Sequence, residues 1–140
     1  MRIARFAVAG GDPRFGIVEL EADEGQFPDT IAVIDGDPLA GPVNYTGERI
    51  ALDDARLLAP VIPRSKILAV GKNYAAHAAE FDGEVPPEPL IFMKPNTSVI
   101  GPDDPIVLPP FSTDMNFEPE VAVVIGRITR NVSVAEAMDH

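Results

Sequence analysis

Apolar and polar positions alternate loosely from Arg2 to Ala9, break at the turn Gly10-Gly11-Asp12-Pro13, and resume from Phe15 to Leu20, which predicts a β-hairpin. A further segment, Thr30 to Ile34, ends in the turn signal Asp35-Gly36-Asp37-Pro38. Residues 1–58 therefore read as a small β-rich module that carries no catalytic constellation. From residue 59 a second unit begins. Leu57 to Val61 and Lys66 to Gly71 read as strands, and the alanine-rich segment from Tyr74 to Phe81 reads as a helix with Asn73 placed to cap it. Leu90-Ile91-Phe92-Met93 and Ile106-Val107-Leu108 are apolar runs between prolines, eight of which fall between Pro86 and Pro110. Such runs predict short, bent β elements with fixed turns. The fold class expected is α+β and mostly β.

Asn116-Phe117-Glu118-Pro119-Glu120, followed by Val121-Ala122-Val123-Val124-Ile125-Gly126, predicts a strand with two carboxylates at its mouth. Alternation along a strand puts Glu118 and Glu120 on one face with Cα atoms ~6.6 Å apart. Heads about 6 Å apart would repel by ~2–3 kcal/mol at an effective dielectric of about 20. A divalent cation between them reverses the sign, and hard oxygen ligands suit Mg²⁺, Mn²⁺ or Ca²⁺ rather than zinc. The alternative is a solvated strand end, with the buried run starting at Val121.

His77 and Glu80 stand three apart on the short helix, so they share a face. A carboxylate bonded to one imidazole nitrogen fixes the tautomer and leaves the other nitrogen to take a proton from water, the anatomy of a general base. An exposed His and Glu on an amphipathic helix is the plainer reading. Lys94 closes the apolar strand before Pro95, either as a solvated end or as a partner for a substrate carboxylate. Lys72 and Asn73 follow the strand exit at Gly71 and join Lys94 as candidate substrate-binding residues. No dinucleotide fingerprint, phosphate-binding Gly-Lys-Ser/Thr loop or serine nucleophile elbow is present.

Composition narrows the field. Among 140 residues there is no cysteine, which removes disulfides, thiol nucleophiles and cysteine metal sites and makes a cytoplasmic location the default expectation. A net charge of -11, from 22 acidic and 11 basic residues, argues against nucleic-acid or anionic-membrane partners. Ser133-Val134-Ala135-Glu136 is a capping-box signature that opens a helix about one turn before the last residue, His140, so the expectation is that this chain is the front part of a longer protein.

Four blocks in order, Lys66 through His77, Pro89 through Pro95, Ser98 through Pro102 and Phe117 through Gly126, closely resemble the fumarylacetoacetate hydrolase family over roughly residues 57–140. The first 56 residues look like the variable N-terminal module many members carry. The resemblance implies the first part of a mixed β-rich catalytic fold, dimeric when full-length, with Mg²⁺ or Mn²⁺ held by Glu118, Glu120 and an aspartate beyond residue 140. It also implies that His77 and Glu80 form the family's His-x-x-Glu dyad. The expected activity is metal-dependent hydrolysis of a carbon–carbon bond in a small β-diketo acid such as an acylpyruvate, through an enolate stabilised by the cation. Enol–keto isomerisation or decarboxylation of a related 2-oxo acid could run on the same site. A non-catalytic acidic binding module is the reading from another class. Two departures stand out: Asn116 replaces an aspartate common in relatives, and Pro119 removes one backbone donor between the glutamates.

Overall fold

The computed structural model describes residues 1–20, 28–80 and 84–140, except for the side chains of His77 and Glu80. The predicted hairpin forms: β1 (Ile3–Ala7) pairs antiparallel with β2 (Arg14–Glu19), and β2 pairs with β3 (Thr30–Asp35). Two further strands complete a five-stranded sheet in the order β4-β3-β2-β1-β5, with β4 at Asn44–Ala51 and β5 at Arg56–Leu58. β5 replaces the longer strand expected over 57–61.

β4 had no counterpart among the expected strands. Its sequence, Asn-Tyr-Thr-Gly-Glu-Arg-Ile-Ala, lacks an apolar run because it is an edge strand with one side in water. The register also slips within it: Ala32 faces Arg49 and Ile34 faces Tyr45, so β4 spends two extra residues there. Gly47, at φ 88°, supplies the left-handed residue this bulge needs. Thr46 fastens it, its hydroxyl donating to the Val33 carbonyl at 3.2 Å and accepting from the Glu48 N–H at 3.2 Å.

The pairing registers place Ala4, Phe6, Gly16, Val18, Ile31 and Val33 on one face of the sheet. On that face Ala4, Phe6, Ile31 and Val33 form the core, flanked by Val8, Val18, Ile50, Leu52, Ala55 and Leu57. Phe6 is 0 % exposed. Full burial of such a side chain contributes about 1.5–3 kcal/mol. Gly16 keeps the row closed, since a Cβ there would sit 2.2 Å from Ile31 Cγ2 and 2.8 Å from the Ala32 carbonyl oxygen.

Residues 67–94 form a separate antiparallel pair, β6 (Ile67–Gly71) and β7 (Leu90–Lys94), as the apolar runs predicted. Between them lies α1 (Ala75–Glu80). Its first backbone bond runs from the Ala78 N–H to the Tyr74 carbonyl at 3.0 Å, so Tyr74, not Asn73, is the residue at the cap position. Phe81, placed at the end of the expected helix, lies outside the described residues.

The expected strand over 117–126 does not form. A strand exists only through its ladder, and none pairs with this run among the described residues: the Val121 N–H goes to the Tyr74 hydroxyl at 3.5 Å, and the Gly126 N–H, with that of the following Arg127, to the His140 carbonyl oxygen at 2.7 and 3.1 Å. Val121 is consequently 83 % exposed, not buried. Residues 106–108 are likewise irregular and exposed. The capping box also takes another form. The Ser133 hydroxyl donates to Glu136 Oε2 at 2.7 Å, and only a single 3₁₀ turn, Ala137–Asp139, follows.

β5 is tied to the turn that follows Gly101. Arg56 Nη2 donates to Asp104 Oδ1 at 2.6 Å, and the Gly101 N–H donates to Asp104 Oδ2 at 2.8 Å. Gly101 lies so close to β5 that a Cβ there would meet the Ala59 nitrogen and the Leu58 Cα at 3.1 Å. The fold is mostly β, with a five-stranded antiparallel sheet and a two-stranded one whose strands flank α1 in the chain.

Candidate active site

β6 delivers the chain to the site, and its exit is abrupt. Gly71 ends the strand and Lys72 takes φ 55°, a left-handed conformation that non-glycine residues adopt at a cost. Asn73 and Tyr74 follow, both exposed, and α1 begins at Ala75. Both His77 and Glu80 fall within α1; their side chains lie outside the described residues. Ala78, 2 % exposed, is buried. Alanine at that position lets the helix seat closely.

Glu118 and Glu120 occupy the exposed run before Val121. Among the described residues no group of three His, Cys, Asp or Glu stands close enough to hold a metal ion. Glu118 and Glu120 offer hard carboxylate oxygens, the ligand type that Mg²⁺ and Mn²⁺ take.

Lys94 lies at the end of β7, opposite Ile67, with its ammonium 6.0 Å from the centre of the Phe92 ring. That spacing permits a weak cation–π attraction and leaves the charge in water.

A hydrogen bond from the Val121 N–H to the Tyr74 hydroxyl joins the neighbours of the two constellations. It sets the residue after Glu120 against the residue that starts the helix of His77. Nothing in the sequence marks this pairing, because the partners are 47 residues apart. An aromatic hydroxyl at a helix entrance is the sole local hint.

A family model described as fumarylacetoacetate (FAA) hydrolase C-terminal matches residues 66–140, and one described as Rv2993c-like, N-terminal, matches residues 1–60. This chain belongs to the fumarylacetoacetate hydrolase family.

Protein Rv2993c of Mycobacterium tuberculosis (strain ATCC 25618 / H37Rv) is 41% identical over 140 residues, which is 100% of this chain and 51% of that protein. The mitochondrial oxaloacetate tautomerase fahd2 of Xenopus laevis is 44% identical over 84 residues, 60% of this chain and 26% of that protein. Among solved structures, 5-carboxymethyl-2-hydroxymuconate delta-isomerase from Mycobacterium smegmatis aligns with a TM-score of 0.57 at 44% identity, covering 76% of this chain and 37% of that one. The chain spans about half the length of the first of these relatives, 51%. No helix among the described residues is long and apolar enough to cross a membrane.

Proposed function

We propose that this chain carries the metal-binding and proton-transfer elements of an enzyme that interconverts the keto and enol forms of a small 2-oxo acid. The observation that carries the reading is that one family match, residues 66–140, takes in both α1 and the Glu118-Glu120 pair, and that proteins similar to this chain are named as a tautomerase and an isomerase.

In this reading Glu118 and Glu120 hold Mg²⁺ or Mn²⁺ by their carboxylate oxygens. The bound cation would supply Lewis acidity toward the 2-oxo acid end of the substrate. His77 takes the proton from the carbon beside the carbonyl and returns it at the alternative position, while Glu80 holds the imidazole in the tautomer that can accept it. Lys72, Asn73 and Lys94 bind the substrate's carboxylates. The net charge of -11 makes such local cations necessary for an anionic substrate.

Carbon–carbon bond hydrolysis of an acylpyruvate is the second reading, favoured by the match to the fumarylacetoacetate hydrolase model itself. There His77 would deprotonate water instead of carbon. Proton NMR in D₂O with oxaloacetate and with an acylpyruvate separates the two. The isomerase reading expects protein-dependent exchange of the C3 protons with the carbon skeleton intact; the hydrolase reading expects release of pyruvate and a carboxylic acid. Rates equal to those of protein-free Mg²⁺ controls would defeat both.

A further inference from the structure

Tyr74 does two structural jobs at once. Its carbonyl accepts the first backbone bond of α1, from the Ala78 N–H at 3.0 Å. Its hydroxyl accepts the Val121 N–H at 3.5 Å. It stands two residues after the left-handed Lys72, whose φ of 55° marks the exit of the chain from β6. In an extended run residues 119 and 121 direct their N–H groups to the same edge. Pro119 has no N–H, so Val121 is the donor available on that edge beside Glu120. Tyr74 occupies it.

We propose that Tyr74 is a positioning residue: its hydroxyl ties the cap of α1 to the backbone directly after Glu120, so the helix of His77 and the carboxylate pair are held as one unit. This rests on the reading of Glu118 and Glu120 as metal ligands and His77 as the base. A phenol suits the task because its rigid ring spans the gap with only two rotatable bonds, while its oxygen satisfies a main-chain donor that would otherwise compete for a ladder. The tie fixes the backbone beside Glu120 against the start of the helix, and with it the distance of the base from the metal. Small losses of geometry of this kind are costly to catalysis.

The test uses the full ¹⁵N-labelled chain and two signals that do not depend on turnover. Amide hydrogen exchange at Val121 should be about fivefold faster in Tyr74→Phe than in the wild type, the change expected for loss of one ordinary hydrogen bond. Substoichiometric Mn²⁺ should broaden the amides of residues 116–121 and of residues 75–80 together in the wild type. In Tyr74→Phe the first group should stay broadened while the second sharpens, with the amide shifts of β1 to β3 unchanged as the control for folding. Val121→Pro, which removes the donor instead of the acceptor, should give the same loss at residues 75–80. Unchanged Val121 exchange in Tyr74→Phe, or equal broadening of residues 75–80 in all three proteins, overturns the proposal. If Mn²⁺ broadens neither segment of the wild type, the metal assignment falls, and the Val121 exchange still decides the tie.

Discussion

Arg56 and Asp104 meet across 48 residues of sequence, the guanidinium Nη2 donating to Oδ1 at 2.6 Å, and this pair pins β5 to the turn that opens at Gly101. The Arg56 hydrogen bond, aided by the Gly101 N–H, holds the Asp104 carboxyl below its ordinary value. A depressed carboxylate stabilises the fold above its unfolded-state pKa, and that contribution is lost as pH falls through the folded-state value. Asp104→Asn should therefore lower the urea midpoint at pH 7, and the gap from wild type should close as pH drops below the ordinary carboxylate range. Glu19 and Glu48, held low by Arg49 and Arg14, titrate in the same direction and steepen the acid transition in both proteins.

Gly16 lies where a side chain would strike Ile31 Cγ2 and the Ala32 backbone. Gly16→Ala should cost about 1–3 kcal/mol by overpacking, read as a fall in the urea midpoint without change in slope. An unaltered midpoint would mean that β2 and β3 separate at no cost.

Phe6→Ala empties the centre of the same face, where Phe6 is fully buried beside Ile31 and Val33. The expected loss is about 3–5 kcal/mol, enough to unfold much of the five-stranded sheet, and circular dichroism during thermal melting measures it.

Lys72 combines strain with charge. Lys72→Gly removes the left-handed penalty at φ 55°, offset in part by the greater freedom glycine gives the unfolded chain, so stability should rise by up to about 1 kcal/mol. Lys72→Ala keeps the penalty and should gain nothing. If Lys72 binds a substrate carboxylate, both variants raise KM to a similar degree; a normal KM in both would remove it from the site.

Glu118→Gln leaves the shape of the run almost unchanged and removes one charged ligand. Mn²⁺ affinity, followed by water-proton relaxation, should fall at least about tenfold, or about 1.4 kcal/mol. Equal affinity in the two proteins would take the carboxylate pair out of metal binding.

Legibility in the sequence followed the range of the interactions. β1, β2 and β3 were visible because their alternation and turn residues are local, and β6 and β7 because their apolar runs end at glycine or proline. β4 was missed for the opposite reason: Asn44–Ala51 is an edge strand built around a bulge, and only pairing with β3 makes it a strand. For the run after Glu120 the error was reversed. Its valines announce a strand, yet no described strand pairs with it, and the Val121 and Gly126 donors turn to Tyr74 and His140. The candidate ligands Glu118 and Glu120 and the His77–Glu80 spacing were legible as a motif. The residue that links them, Tyr74, was not.

By itself the sequence determined the β-rich class, the family and the chemical groups on offer, because turn residues, apolar periodicity and motif spacing act within a few residues of themselves. Which donors meet which acceptors was decided only by the tertiary structure: β4 on β3, Asp104 on Arg56, Val121 on Tyr74. The reason is that a hydrogen bond between segments depends on where every intervening residue carries the chain, and no local pattern encodes that path.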